Sequence, residues 1–445
     1  MNAKYILTII VLSALSLRAG TNTTLTLSEA LQHGLKYSPA ARTAELEVDI
    51  AQTQIGQAGA LALPQLSLQG NYTRIDEVPE INFGGDAFEL GSADNYEVSA
   101  QISQLVYSGG QVGAAWRAAR ISREFAMVNR AAFEAFLTHE ITRLFYATLL
   151  AREAVNVQQA SLDMLQQFEK QAQDRKDGGA ASEFDALTAR VRVANARPAL
   201  IAAQNQMDLA KASLANLIHF EGAFDIDGSL AVEPITRTLP ELEMMALQQR
   251  EHLQAAKLLA DLSREAVSHA RSGARPEIRL FANQTGGNAS QFDLSDDWEW
   301  RWSAGITARW NLWDGNLTRQ TIRQREIERQ QQEYNIQETE SAVLLEVKQA
   351  WLALQQAEES LAASTESITL AQRALQIAQT RYNSGLSTYL ELTDANLALR
   401  TAELTRLQAK HDHAVARTRL RFAVGLPSPY CNNQPPPEAN GKETL

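Results

Sequence analysis

From Gln111 to about Lys176, and again from Leu317 to Tyr382, nothing in this chain breaks a helical pattern. Each run is some 66 residues, which at 1.5 Å per residue is roughly 100 Å of continuous helix. No compact domain accommodates that length, so the runs predict a coiled coil or a wall of helices. The seam is visible in the second run. Val347, Leu354, Leu361, Ile368, Leu375 and Tyr382 recur every seven residues, and Ala350, Ala357, Ser364, Ala371 and Ala378 follow three positions behind. Large residues at one heptad position and small ones at the other let helix axes approach closely. The next helix carries alanine at 395, 402, 409, 416 and 423, and its first-half counterpart has Ala189, Ala196, Ala203 and Ala210. Exposed glutamines and charges on the remaining faces argue for an aqueous setting.

The two runs belong to one unit written twice. LVYSGG from Leu105 resembles NLWDGN from Asn311, and RKDGGAASEFDAL from Arg175 resembles RYNSGLSTYLELT from Arg381, both at an offset of 206. Gly109 is thereby paired with Gly315, and Gly179 with Gly385. Near the start of each half, LPQLSLQG from Leu63 matches RPEIRLFA from Arg275 at an offset of 212, so the six-residue difference falls in the loops between. Each half reads helix, strand, loop, strand, very long helix, sharp turn, shorter helix. The expected organisation is a first repeat over 20–225 and a second over 226–427, with a disordered tail over 428–445. Pro198, opposite Leu404, is expected to kink its helix.

Four strands are expected, at about 65–75, 96–107, 277–286 and 299–313. The last is the most informative. Five of the seven tryptophans lie between Trp298 and Trp313. Trp298, Trp300, Trp302, Ala304, Ile306, Ala308, Trp310 and Leu312 alternate with Glu299, Arg301, Ser303, Gly305, Thr307, Arg309 and Asn311, the period-two signature of a strand whose faces meet different surroundings. Between the first two strands, Asp76 to Asn95 carries six acidic residues and no basic one. It could bind divalent cations or phage, but a solvated surface loop is the simpler reading.

The start of the chain resembles a secretory signal peptide over 1–19. Lys4 precedes a short apolar run from Tyr5 to Leu17, and Ala19 stands at the expected cut, a run too short to span a membrane. No later segment has twenty uninterrupted apolar residues. The single cysteine, Cys431, cannot form an intrachain disulfide. A net charge of −11 disfavours nucleic acid as a partner.

Four strands cannot close a barrel, and their open edges would aggregate. Secretion together with a membrane-facing strand points to the outer membrane, where only closed barrels satisfy the backbone. The strands must then come from several copies. A trimer supplies twelve, within the range of known barrels. Trp302 to Trp310 spans eight residues, roughly 26 Å, close to the ~25 Å apolar band of such barrels. This favours lipid over a protein core for the tryptophan face, with Trp298, Trp300, Trp302, Trp310 and Tyr96 as an aromatic girdle.

These residues resemble a family. The signal peptide, the duplicated strand–helix plan, the element after each second strand and the segment RYNSGLSTYLELTDAN are similar to the TolC-type outer-membrane efflux proteins. The resemblance implies a mainly α protein with β. Its tandem-duplicated long antiparallel helices would form a periplasmic α-barrel, and four strands per protomer a trimeric twelve-stranded outer-membrane β-barrel. It implies a homotrimer in the outer membrane of a Gram-negative bacterium, in contact with outer-membrane lipid. Its partners would be a periplasmic adaptor and an inner-membrane transporter of RND or ABC type, with export of drugs, toxins or other substrates.

No catalytic constellation emerges: the seven histidines are scattered, and there is no HExxH, P-loop or GxSxG. No enzyme, cofactor or metal is expected. Gly109 and Gly315 read as strand-to-helix turns, Gly179 and Gly385 as the helix-to-helix turns at the tip. Beyond the tip turns lie Asp185 in the first half and Glu391 and Asp394 in the second. Glu391 and Asp394 share a helix face, and a threefold axis would make them stacked acidic rings that concentrate cations. The alternative is that they merely favour the helix dipole. The resemblance implies a gate with inter-helix polar links here, making Tyr382 a candidate link to Asp185. Ser387 and Thr388 stand where some members carry a basic residue, which argues against a salt-bridged closed gate. Phe145 and Trp351, equivalent across the halves, read as helix packing. The rival reading is a periplasmic coiled-coil adaptor without channel activity. An adaptor carries one hairpin and glycine- and valine-rich barrel segments, and the duplication and the tryptophan strand argue against it.

Overall fold

The computed structural model describes residues 23–78, 80–84, 86–89, 92–230, 237–288 and 298–427. The expected signal peptide and tail lie outside the described residues. The first half comprises β1 (Thr23–Leu25), α1 (Leu27–Tyr37), α2 (Pro39–Ala60), β2 (Gln65–Arg74), β3 (Glu80–Phe83), β4 (Asp86–Glu89), β5 (Asp94–Tyr107), α3 (Gln111–Asp177) and α4 (Glu183–Ile218). The second comprises β6 (Phe224–Ile226), α5 (Leu239–Gln249), α6 (Glu251–Ser272), β7 (Glu277–Gly287), β8 (Glu299–Arg309), α7 (Leu317–Asn383) and α8 (Tyr389–Val424). Helices of 11, 22, 67 and 36 residues recur in that order in both halves. The duplication is therefore kept residue for residue in the helices, and the offset changes between the paired strands. Among the described residues no helix is long and apolar enough to cross a membrane.

The heptad seams are where the helices meet. Val347, Leu354, Ile368, Leu375 and Tyr382 are buried along α7, with Ala350, Ala357 and Ser364 between them. In α8, Ala402, Ala409, Ala416 and Ala423 are buried. Towards the tip, Leu162, Leu165 and Phe168 of α3 join Val193 of α4, Leu375 of α7 and Leu392 of α8 in one cluster. Nearer the sheet, each repeat has its own cluster. Phe145 is packed within the first, and Trp351 packs partly buried against the second. Helix α4 continues through Pro198 from Glu183 to Ile218; the proline costs one backbone hydrogen bond without ending the helix.

Three features were not foreseen. β1 pairs in parallel with β6, Thr23 opposite Phe224 and Leu25 opposite Ile226, inside the first repeat's cluster. The expected boundary at 225/226 thus falls within β6. The acidic segment contains a short hairpin, β3 against β4. And β8 ends at Arg309 rather than at 313; its hydrogen-bonding partner β7 begins only at Glu277, opposite Arg309, and among the described residues no strand pairs with those beyond. Trp310 to Trp313 lie in the connection to α7.

Candidate functional site: the strand wall and the helical tip

The four long strands form one antiparallel sheet in the order β2-β5-β7-β8, joining the halves through β5 and β7. Its register decides whether the alternation of one strand is a property of the whole sheet. Trp302 stands opposite Gln284, which stands opposite Ala100, which stands opposite Leu68. The next row on that face is Ala304, Ala282, Ile102 and Leu66, and the row on the other side is Trp300, Gly286, Val98 and Gly70. The opposite face reads Arg301, Thr285, Ser99 and Gln69, then Ser303, Asn283, Gln101 and Ser67. One face is thus apolar in nearly every row and the other polar in nearly every row. Neither is packed on a core: on the apolar face Trp302 is 77% exposed and Leu68 76%, and on the polar face Arg301, Ser303, Gln101, Ser67 and Gln69 are exposed. A sheet of two unlike faces, neither packed on a core, suits lipid on one side and water on the other.

Aromatic residues gather at both ends of the apolar face. At the end far from the helices, the Tyr72 and Tyr96 rings lie 5.1 Å apart across strands, and Trp298 and Trp300 meet edge-on at 6.0 Å. Tyr72, missed in the sequence because its strand begins with only two alternating leucines, completes that belt. Gly286 lies under it: a Cβ there would sit 2.7 Å from the Trp300 ring. At the helix end, the Trp310 indole N–H donates to the carbonyl of Ala274 at 3.1 Å. Gln104, the first-half counterpart of Trp310, donates from its amide to Ala62, the counterpart of Ala274, at 2.7 Å. Two unlike side chains do the same work of tying strand end to helix end, and only the tryptophan adds a ring to the apolar face.

The strand-to-helix turns use Gly109 at φ +65° and Gly315 at φ +69°, and the tip turns Gly179 at φ +75° and Gly385 at φ +71°. These left-handed conformations carry little cost only in glycine. After the tip turn, Asp185 is consumed in capping α4. Its carboxylate accepts from the Ser182 N–H at 3.2 Å and hydroxyl at 2.7 Å, and its own N–H donates back to Ser182 Oγ. Glu391 holds the corresponding place in α8, its N–H donating to Thr388 Oγ1 at 3.3 Å. Glu391 and Asp394 are exposed one turn apart, and among the described residues neither has an ion-pair partner.

Tyr382 is 4% exposed and its hydroxyl makes no hydrogen bond among the described residues. The implied link to Asp185 is therefore not formed within the subunit, because Asp185 is turned onto Ser182. Tyr382 is held instead by Arg175, whose guanidinium lies 4.6 Å over its ring and donates to the Asn383 carbonyl at 2.7 Å. Tyr389 meets the Tyr382 ring edge-on at 6.0 Å. Burial, helped by Tyr382 and Glu169 and opposed by Arg192, pushes the Tyr389 hydroxyl up to about 12. Arg175 is the tip residue that sequence reasoning missed. The repeat pairs it with Arg381, but Arg381 reaches only its own turn, the carbonyl of Leu386 at 3.3 Å. Of these two arginines, only Arg175 reaches across to the other repeat among the described residues.

A sheet with one apolar and one polar face, mounted on helices of roughly 100 Å, defines a subunit of a membrane barrel channel with a long helical extension. The profile of the family described as "Outer membrane efflux protein" matches residues 27–218 and 243–426. The outer membrane protein TolC of Salmonella enteritidis is 20% identical over 415 residues, covering 90% of this chain and 82% of that one. Among solved structures, CusC superposes with a TM-score of 0.76 at 18% identity, covering 93% of this chain and 96% of that chain. The CmeC outer membrane channel of Campylobacter jejuni gives 0.76 at 16%, covering 93% and 90%. The chain belongs to the outer membrane efflux protein family. That is a family of channels of tripartite efflux systems, not of enzymes, and the protein's place is the outer membrane with a large periplasmic portion.

Proposed function

We propose that three copies of this chain close into a twelve-stranded outer-membrane barrel on a periplasmic helical tunnel. The assembly is a passive exit duct for drugs, toxins or other exported substrates, whether in tripartite efflux or in type I secretion. The observation that carries the reading is the sheet itself: four antiparallel strands with two free edges, one face apolar and one polar in nearly every row of the register. Free edges cannot persist in a membrane, and closure by further copies removes them. The outward row of Ala304, Ile306 and Ala308 faces lipid, between belts at Tyr96, Trp298, Trp300 and Trp302 and at Trp310. Arg301, Ser303, Thr307 and Arg309 face the water-filled lumen.

The tip is the mouth and gate. Glu391 and Asp394, exposed and without an ion-pair partner among the described residues, form stacked acidic rings on the threefold axis and favour cationic permeants. Tyr382 acts in the gate through Arg175 rather than through Asp185, whose carboxylate stays with its helix. The mouth docks on a periplasmic adaptor, which connects it to an inner-membrane transporter of RND or ABC type. Purification from membranes in detergent, followed by conductance recording in a planar bilayer, tests the reading. Stable ion-conducting steps are expected; a monomeric, water-soluble product without conductance overturns it.

A further inference from the structure

The duplication allows the contact between subunits to be read from a contact inside one. Within the chain, the first repeat meets the second through β5 on β7 and α3 on α6. Moving each partner to its counterpart in the other repeat turns that seam into β8 on β2 and α7 on α2, the two flanks left free. We propose that the seam between subunits repeats the seam within each subunit, pairing β8 of one copy antiparallel with β2 of the next in a defined register. The pair Gln101 opposite Asn283 becomes Thr307 opposite Asn71 of the partner subunit. Ala100 opposite Gln284 becomes Ile306 opposite Tyr72 of the partner subunit, and Gln104 opposite Leu280 becomes Trp310 opposite Leu68 of the partner subunit. The inference rests on the trimeric channel reading and adds which residues meet.

Three observations support it independently. The first is parity. A shift of one residue would turn every side chain to the wrong face, yet the transposed register sets Ile306, Ala308 and Trp310 beside Tyr72, Gly70 and Leu68 of the partner subunit, all on the apolar face. The second is strand length. β5 pairs with β2 only as far as Ser103 opposite Gln65, and its last residues, Gln104 to Tyr107, are held by β7 alone. β8 likewise pairs with β7 as far as Arg309 opposite Glu277, then stops where its second partner is missing. Residues 310–313 thus become strand once the partner's edge is present. The third is the space left open. At the internal seam a Cβ on Gly109 would lie 2.7 Å from Arg275 Cβ and 2.9 Å from the Ser272 carbonyl, whereas Gly315 has nothing within 4 Å. Leu280 is 41% exposed at the internal seam, against 76% for its free counterpart Leu68.

The two seams differ in chemistry. Inside the subunit, Arg117 makes a two-pronged ion pair with Glu265 at 2.8 and 2.9 Å, Gln111 contacts His269, and Arg275 donates to the Gly109 carbonyl. The transposed pairs are Arg323 with Thr53 of the partner subunit, Leu317 with Gln57 of the partner subunit, and Gly315 with Leu63 of the partner subunit. The seam between subunits therefore lacks that ion pair, Thr53 standing where Glu265 does, and gains apolar cover where Gln111 and Arg275 give way to Leu317 and Leu63, both well exposed in the single chain.

Disulfide trapping tests the register. In a Cys431→Ser background, Thr307→Cys with Asn71→Cys places two thiols opposite each other on the lumen face. Thr307→Cys with Gln69→Cys or with Thr73→Cys places them on the diagonal, about 7–8 Å apart, beyond the ~3.5–4.5 Å Cβ separation a disulfide spans. Gln101→Cys with Asn283→Cys, paired within the chain, confirms that the oxidant reaches the lumen. The expected result is a ladder of covalent dimer and trimer from the opposite pair, at least tenfold weaker from the diagonal pairs. A ladder from a diagonal pair in its place overturns the register and leaves the trimer standing, as does the absence of any ladder from variants that still assemble. Variants that are monomeric before oxidation overturn the trimeric channel reading itself.

Discussion

Removing the Arg175 side chain is the sharpest test of how the tip is held. The guanidinium donates to the Asn383 carbonyl at 2.7 Å, one of the orphan acceptors at the end of α7, and stacks 4.6 Å over Tyr382. A charge-assisted hydrogen bond contributes about 1.5–3 kcal/mol, and this one is half-exposed, so the lower end applies. The cation–π contact adds about 0.5–1 kcal/mol at such a site. Their loss in Arg175→Ala weakens the link between the two repeats' tips by about 2 kcal/mol, a factor of about 30 in a two-state equilibrium. In single-channel recordings the variant is expected to occupy a wider, higher-conductance level correspondingly more often. Arg175→Lys, which keeps the charge but not the planar fork, should fall between. Arg381→Ala is the internal control, since among the described residues the Arg381 guanidinium donates within its own turn, to the Leu386 carbonyl. Conductance unchanged in Arg175→Ala, or changed equally in Arg381→Ala, refutes the assignment of the cross-link to Arg175.

The acidic mouth predicts that the double variant Glu391→Ala and Asp394→Ala raises the concentration of divalent or trivalent cation needed for half-block several-fold; unchanged block rejects those residues as the ring. Gly286→Val should push the Trp300 ring off its seat, because a Cβ at that position lies 2.7 Å from it. A cost of about 1–3 kcal/mol should lower the dissociation temperature of the detergent-solubilised assembly and shift tryptophan emission, and a variant matching wild type in both counts against the belt geometry. His413 is fully buried, with no hydrogen-bond partner on either ring nitrogen among the described residues, and burial, offset in part by Glu358, pushes its pKa below the ordinary value. The unfolded chain then binds the proton more tightly, so folded stability falls as pH drops through about 6.5. Replacing it by its repeat counterpart, His413→Met, should narrow the difference between melting temperatures at neutral and mildly acidic pH, and an equal difference would reject the imidazole as a source.

What could be read beforehand was whatever repeats. The helix seams, the paired turns at Gly109 and Gly315 and at Gly179 and Gly385, and the two-faced strand each carry a period or a duplicate, and those signals survive without neighbours. The parallel pair β1 and β6 spans three residues a side, too short for any alternation, and is joined across some 200 residues. The Arg175 link escaped for a related reason. Its local sequence matches that of Arg381, and the difference between them lies in what the other repeat places nearby. The end of β8 could not be read from its own residues, because a strand's length is set by its partner as much as by its pattern.

Equal helix lengths have a consequence for how such a tube can vary. Both 67-residue helices start from equivalent turns and end in equivalent turns, so the six tips of a trimer finish level. One residue added to a single helix would lift its tip by about 1.5 Å and rotate it by about 100°, taking the heptad seam off its neighbour. The rim stays flat only if both helices, and the shorter partners they pack against, change together in steps of seven, about 10.5 Å each. The tube behaves as a ruler graduated in heptads, and the distance it reaches from the membrane is set in those steps.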